Sequence, residues 1–248
     1  MNDILSLDTI EDITEKIGIL PFFKNNIQSF SIEEHTPEYL WFNDEIDGPW
    51  EWKGPIIRNF RCAYGKFFNK KAGYISIQML PYLIKIRRNS FPQDMFTPLE
   101  KSIYELIVKN ESVRSDVLKN ELGLYKANSK KQKNPIDNLI NIPVAKKNRK
   151  KEKTESFDTA ITRLQMGTWI VCGDFEYSYT KEGKRYGWGK AVYVTPEAMY
   201  GSEIVDSCNN IAPPDALEDM CQKILHSVNS VVDEPISKNE LLNLIKVK

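Results

Sequence analysis

Apolar residues recur at helical spacing after the pair Thr97-Pro98. Glu100, three residues after Thr97, completes a capping box with it, and proline is tolerated at the first position of a helix. The apolar residues that follow at intervals of three or four are Leu99, Ile103, Leu106 and Ile107. This pattern predicts a helix over 98–109.

Other helix boundaries are predicted from the same kinds of signal. A first amphipathic helix opens at Asp8 with Glu11 and ends at Gly18, and a last one opens at Ser237 with Glu240. Two further Thr-Pro pairs are typical of helix starts: Thr36-Pro37 and Thr195-Pro196. Further helices are predicted over 80–88, around 114–122 and from Phe157.

Two segments have the aromatic and β-branched composition of β-hairpins. The first runs from Ala63 to Ile77 around a polar turn at Asn69-Lys70-Lys71, and the second spans 169–194 with Gly183 in its turn. The order from residue 98 to 194 is helix, helix, basic insertion, helix and long hairpin. This order predicts a winged helix-turn-helix.

The predicted fold class is therefore α+β, in three parts. Residues 1–95 form an N-terminal helical segment with its own hairpin, residues 96–200 form the winged-helix domain, and residues 201–248 form C-terminal helices. The insertion at about 126–155 has ten Lys or Arg residues and three acids, a local charge of +7. We expect it to be mobile, because it has little apolar surface to bury.

Overall composition excludes several classes of protein. The 248 residues are 41% hydrophobic, and 34 Lys and Arg balance 34 Asp and Glu, so no global field attracts nucleic acid or an anionic membrane. The N-terminus lacks the basic and apolar regions of a signal peptide, which predicts a cytoplasmic protein without membrane contact. The four cysteines have no CxxC spacing and there are only two histidines, so we expect no metal and no cofactor.

The third helix of the predicted winged helix has two faces. Phe157, Ala160, Ile161, Leu164 and Thr168 form an apolar stripe. The opposite face, which would enter the major groove of duplex DNA, contains Thr159, Thr162, Arg163 and Met166. The predicted wing tip offers three cations to phosphates: Lys181, Lys184 and Arg185. An architectural winged helix and a solvated insertion without a partner are the alternatives.

Aromatic and acidic residues alternate in a second region. Five aromatic residues lie within 39–52, namely Tyr39, Trp41, Phe42, Trp50 and Trp52, and four acids lie among them: Asp44, Glu45, Asp47 and Glu51. Aromatic rings stack an extruded base in base-excising enzymes, where a carboxylate activates water. The alternative is that Trp50 and Trp52 belong to the core and that the acids lie in a solvated loop before Gly48-Pro49.

Several stretches resemble those of a known family. These are 48–57, 63–68, 73–76, 157–166 and 186–189, and they resemble the small bacterial proteins called AlkZ-related. Such proteins are distantly similar to AlkZ-type (YcaQ-like) DNA glycosylases, winged-helix enzymes that excise alkylated or crosslinked bases. The resemblance implies a DNA-binding architecture and covers roughly residues 10 to 200.

The resemblance fails at the catalytic motif of those glycosylases. In them a Leu-Gly-hydrophobic run leads to a Gln-hydrophobic-Asp or Gln-hydrophobic-Gln motif. Here Ile17-Gly18-Ile19-Leu20 fits the run, but Pro21-Phe22-Phe23 stands where the polar motif should be. Neither Pro nor Phe positions water or stabilises a glycosyl cation, so we assign no catalytic residue.

The sequence thus predicts a winged-helix protein that binds duplex DNA without catalysis. Two alternatives stay open. One is a DNA glycosylase acting on alkylated bases through a different site, with the carboxylates near Trp50 as first candidates. The other is a non-catalytic protein-interaction module.

Overall fold

The computed structural model describes residues 1, 3–43, 45–124, 155–183 and 185–245. Helices and an antiparallel sheet make up this mixed α+β structure. The helices in the described part of the chain are α1 (Leu7–Ile17), α2 (Ile32–His35), α3 (Pro49–Arg58), α4 (Leu80–Ser90), α5 (Pro98–Asn110), α6 (Ser115–Glu121), α7 (Phe157–Met166), α8 (Pro196–Tyr200), α9 (Ser202–Val205), α10 (Pro213–Val228) and α11 (Lys238–Ile245).

Six strands form one sheet. They are β1 (Ile19–Pro21), β2 (Cys62–Phe68), β3 (Lys71–Ser76), β4 (Ser112–Arg114), β5 (Val171–Tyr179) and β6 (Arg185–Val194). Their order across the sheet is β1-β3-β2-β5-β6-β4, and neighbouring strands are antiparallel.

The capping signals place α5 as predicted. Thr97 Oγ1 accepts a hydrogen bond from Glu100 N at 3.2 Å, and Thr97 N donates to Glu100 Oε2 at 2.8 Å. At α1 the end at Gly18 is confirmed by its φ of 96°, but Ser6 caps the start instead of Asp8. Local capping residues therefore fix helix ends to within about two residues here.

The prediction of a helix after Thr36-Pro37 is wrong. Only a single 3-10 turn, Glu38–Leu40, follows the proline. Asn43 Oδ1 accepts hydrogen bonds from the backbone N–H groups of Glu45 and Ile46, at 2.8 and 3.0 Å. This side-chain turn competes with a helical backbone and leads the chain towards α3.

Both predicted hairpins are present, and one backbone pairing joins them. Asn69 and Lys70 turn between β2 and β3 with φ of 51° and 69°. Tyr64 of β2 pairs with Cys172 of β5, so the two hairpins share one sheet. The sheet therefore runs from the N-terminal segment into the segment predicted as a winged helix.

Two separate clusters of buried apolar side chains flank this sheet. The larger cluster combines α1, α3, α4, α10 and α11 with β1–β3 and includes Ile10, Ile56 and Ile224. The smaller cluster combines α5, α6 and α7 and contains most of the apolar stripe expected on the third helix. That stripe is confirmed as buried: Phe157, Ala160, Ile161 and Leu164 are at most 9% exposed. Helices α5–α7 thus have a core of their own, on the same sheet.

Candidate nucleic-acid interface

The face of α7 expected to meet DNA has one exposed residue at its N-terminal end. Thr159 is exposed, and its backbone N donates to Ser156 Oγ at 3.1 Å, which caps the helix. The hydroxyls of Ser156 and Thr159 also lie 2.8 Å apart. Thr159 is accessible to a partner, although its hydroxyl already has a neighbour.

The β2–β3 hairpin covers two further residues of this face. Lys66 Nζ donates to Thr162 Oγ1 at 2.9 Å, and Lys70 N donates to Met166 Sδ at 3.4 Å. Lys66 N also donates to Gln165 Oε1 at 3.0 Å. The hairpin therefore occupies space that a major groove would need.

Arg163, the fourth residue, forms an internal ion pair. Its Nε lies 3.1 Å from Glu100 Oε1, its Nη1 lies 3.7 Å from Glu155 Oε1, and its guanidinium stacks 5.0 Å from the Phe91 ring. Glu100 is 0% exposed, and its Oε1 accepts no hydrogen bond within the described residues. Arg163 is therefore the counter-ion of a buried carboxylate, with a side chain that remains 43% exposed.

The predicted wing is the β5–β6 hairpin, and its tip presents a single exposed lysine within the described residues. Lys181 is exposed, whereas Lys184 and residues 125–154, nearly all of the basic insertion, lie outside the part that the structure describes. Arg185 Nη2 lies 3.0 Å from Asp47 Oδ1 and 3.7 Å from Glu51 Oε1. Arg185 thus ties the wing to α3 and the loop before it.

Aromatic rings form a continuous cluster beside the wing. Trp50 lies 5.2 Å from Phe22, 6.0 Å from Phe23 and 5.7 Å from Trp41, measured between ring centroids. On the other side Trp50 meets Trp188 of β6 at 5.9 Å, with the two rings nearly perpendicular. Such edge-to-face contacts link the wing to the core.

An open cavity of about 470 Å³ lies at the surface of this cluster. Its aromatic walls are Phe23, Trp41, Phe42 and Trp50, and its other lining residues are Lys24, Glu33, Thr36 and Glu38. Two of these residues have a buried polar atom without a hydrogen-bond partner: Trp50 Nε1 and Thr36 Oγ1. Buried polar atoms are rarely left unpaired, so this cavity is the strongest candidate for a ligand site.

Lys53 lies behind Trp50, on the same helix. Its ammonium is 4.8 Å from the Trp50 ring and 4.2 Å from the Phe175 ring, and the residue is 9% exposed. No carboxylate within the described residues forms a salt bridge with it. Burial lowers the pKa of Lys53 to about 8, because a charged amine is poorly solvated there.

Among the carboxylates near Trp50, those of Asp47 and Glu51 have internal partners, and Asp44 lies outside the described residues. Glu51 Oε2 accepts from Gly48 N at 3.2 Å, and its other oxygen faces Arg185. Trp52 is buried, Trp50 is half-buried, and both lie on α3 with Glu51. Gly48 allows the close approach of the chain there, since a Cβ would lie 1.7 Å from Leu40 O. Glu51 is thus a helix-capping residue and an ion-pair partner.

The stretch Pro21-Phe22-Phe23 is apolar and well packed. Pro21 ends strand β1, Phe22 is 0% exposed, and Phe23 is half-buried in the aromatic cluster. The backbone of Phe22 donates to Ala72 O at 3.0 Å and accepts from Glu33 N at 3.0 Å. Of these three residues only Phe23 lines the cavity, and none of them offers an ionisable side chain.

Sequence reasoning missed two features of this region. The Arg163–Glu100 pair joins residues 63 positions apart. The sequence pattern around Glu100 indicates only its capping role and does not predict this second partner. Trp188 was not singled out, although it lies between Gly187 and Gly189. A Cβ at Gly189 would lie 2.8 Å from the Tyr177 ring, so glycine there lets Tyr177 lie across the strand. Glycines flanking an aromatic residue in a strand were the available signal.

The described part of the chain contains neither a metal-binding cluster nor a helix that could span a membrane. No group of three or more His, Cys, Asp or Glu residues is arranged to hold a metal there. Within the same residues, no helix combines the length and apolar character needed to cross a bilayer. All four cysteines are buried and unpaired.

Comparison with known proteins identifies a family. A model of the AlkZ-related family matches residues 4–239, nearly the whole chain, so the chain belongs to this family. Comparisons with curated proteins and with solved structures give no match.

Proposed function

We propose that this member of the AlkZ-related family is a DNA-binding protein and that α5–α7 with β4, β5 and β6 form a winged helix. Family membership supports DNA as the partner, because the family is named for its relation to AlkZ. The element order, the separate core of α5–α7 and the long β5–β6 hairpin support the winged helix. The division at about residues 95 and 200 belongs to the same proposal.

The wing, not the outer face of α7, is the proposed contact with duplex DNA. Arg163 would have to leave a fully buried carboxylate to reach a base, and Thr162 and Met166 lie under the β2–β3 hairpin. Moving Arg163 would cost free energy, since an uncompensated buried charge is strongly unfavourable. Lys181 is exposed and needs no such release, and Thr159 is the residue of α7 most accessible to DNA.

The exposed rings of the wing are the observation that carries the proposal. Tyr179, Tyr186 and Trp188 are 61%, 56% and 73% exposed. Exposed large apolar side chains that cluster on one element mark an interaction surface. A wing of this composition meets DNA through both its lysine and its rings.

We further propose that binding proceeds without base excision at Pro21-Phe22-Phe23. These side chains can neither accept a proton nor hydrogen-bond an attacking water. Glu51, the first alternative, is engaged by Gly48 N and Arg185. Purified protein is therefore expected to release no base from alkylated DNA above background.

Binding of a fluorescent duplex at several salt concentrations tests the proposal. Lys181→Ala should weaken binding to all duplexes alike and reduce the salt slope by about one unit, the value for one lost phosphate contact. Lys16→Ala, which removes an exposed lysine on α1, is the matched control and should leave the slope unchanged. Absence of duplex binding by the wild type at low salt would refute the proposal and favour a protein-interaction module.

A further inference from the structure

Exposed aromatic side chains are concentrated in two segments that are connected through Trp50. In the described part of the chain the exposed aromatic residues are Tyr39, Phe42, Phe60, Tyr179, Tyr186 and Trp188. All but Phe60 come from 39–42 or from 179–188. Trp50 lines the cavity together with Phe42 and contacts the ring of Trp188 on its other side. Trp50 therefore links the two most exposed of these rings.

We call this surface the aromatic face and define it by Phe42 and Trp188, which are exposed, with Phe23, Trp41 and Trp50 behind them. Phe42 is 82% exposed at the edge of the cavity described above, and Trp188 is 73% exposed. Most of each ring is exposed to solvent, although an aromatic cluster lies beside it. Trp188 packs against Trp50 and Phe42 lines the cavity, but most of each ring remains accessible.

Two residues of the cavity lining also have a polar atom that is buried and lacks a hydrogen-bond partner. Trp50 Nε1 is a donor and Thr36 Oγ1 is a donor or an acceptor, and neither has a partner. The aromatic walls of the cavity suit the faces of a flat ring, and a nucleobase has such faces.

The charges around the aromatic face indicate whether it binds paired or unpaired bases. Arg185 offsets Asp47 and Glu51, and at the cavity Lys24 stands near Glu33 and Glu38. Lys71 Nζ donates to Lys24 O at 2.7 Å and adds a second cation. The acids and cations nearly balance, so phosphate attraction contributes little to binding here. The rings must then supply the binding free energy, which requires base faces that are not already stacked in a duplex.

We infer that the aromatic face is a stacking platform for unpaired DNA bases, with one base entering the cavity between Trp41, Phe42 and Trp50. This inference rests on the proposed DNA binding and adds the state of the DNA that this face takes. It assigns Trp188 and Phe42 as the rings on which flanking bases stack.

Binding of a labelled single strand of about 12 nucleotides, measured by fluorescence anisotropy, tests the inference. A strand of equal length made of abasic residues keeps the phosphates and removes the base faces. The wild type should bind the strand with bases at least about 10-fold more tightly, with a salt slope near or below one.

Two substitutions on the exposed side of the aromatic face sharpen the test. Trp188→Ala should weaken single-strand binding by about 10- to 100-fold, and Phe42→Ala should act in the same direction. Phe60→Ala is the matched control, because Phe60 is 53% exposed and lies outside both segments. All three truncate exposed rings, and thermal unfolding checks that each variant is folded.

The outcomes separate this inference from the proposed function. Equal affinity for the abasic strand, or wild-type affinity in both aromatic variants, would overturn the inference while duplex binding still stands. If the wild type binds duplex DNA but no single strand, the inference is overturned as well. The aromatic face would then be assigned to a protein partner. If the wild type binds neither single-stranded nor duplex DNA, the proposed function is overturned as well.

Discussion

The outer face of α7 and the aromatic face differ in how many of their side chains have partners within the protein. On α7, Arg163 pairs with buried Glu100, and Thr162 and Met166 contact the β2–β3 hairpin. On the aromatic face, Phe42 and Trp188 remain exposed, and two polar atoms at the cavity lack partners. Residue types alone favour α7 as the contact surface. Side chains without partners favour the aromatic face as the contact surface. They are the better criterion, because a side chain that already has an internal partner must lose it before it can bind DNA.

Arg163→Ala is expected to have the largest effect on stability. Removing the guanidinium leaves Glu100 buried without a counter-ion, which should lower the free energy of unfolding by about 2–3 kcal/mol, measured by urea denaturation. Because the arginine is 43% exposed, this is less than for a fully buried pair.

The Glu100→Gln background provides the control for that prediction. Glutamine keeps an oxygen for the backbone N–H of Thr97 but has no charge, so Arg163→Ala should cost less there. An equal loss in both backgrounds would show that Arg163 does not neutralise Glu100, and α7 would again be the better candidate for a DNA contact.

Lys53→Met should change how stability depends on pH. The folded pKa of Lys53 is about 8 and its ordinary value is 10.5, so between these values the unfolded chain binds more protons. Wild-type stability should therefore rise with pH through this window, relative to Lys53→Met, by about 2 kcal/mol. Urea denaturation of both proteins at pH 7.5 and at about pH 10 measures the difference, and tyrosine titrations common to both cancel. If the difference in stability between the two proteins did not change with pH, the amine of Lys53 would be in a well-solvated site.

Thr36→Val should have the smallest effect, and its sign is informative. Valine replaces an unpartnered buried hydroxyl by a methyl group of similar shape, so the free energy of unfolding should increase by about 0.5–1 kcal/mol. The same variant should bind a single strand no better than the wild type. A decrease in melting temperature would mean that the hydroxyl has a partner in the free protein.

Local signals in the sequence predicted much of the fold. Thr97 with Glu100 placed α5, the Asn69-Lys70 turn placed the β2–β3 hairpin, and the apolar stripe from Phe157 gave the buried side of α7. The joining of the two hairpins was not predicted. Tyr64 and Cys172 are 108 positions apart, and pairing at that separation leaves no local pattern.

The site was less predictable than the fold for the same reason. The candidates on α7 lie on the side opposite the apolar stripe, but a second element contacts two of the four, Thr162 and Met166. Hairpin β2–β3 lies against this side through the side chain of Lys66 and the backbone of Lys70, and contacts between segments so far apart in the chain leave no local pattern. The aromatic segment around Trp50 was recognised from composition, whereas its contact with Trp188 depends on the tertiary fold.

Amide hydrogen exchange with and without DNA tests the contrast between the two faces most directly. We predict that a single strand slows exchange in segments 39–52 and 179–194 and leaves α7 unchanged, because the inferred contacts lie on the aromatic face. Slower exchange across 157–166 with no change in the two aromatic segments would contradict the account and return the recognition role to α7.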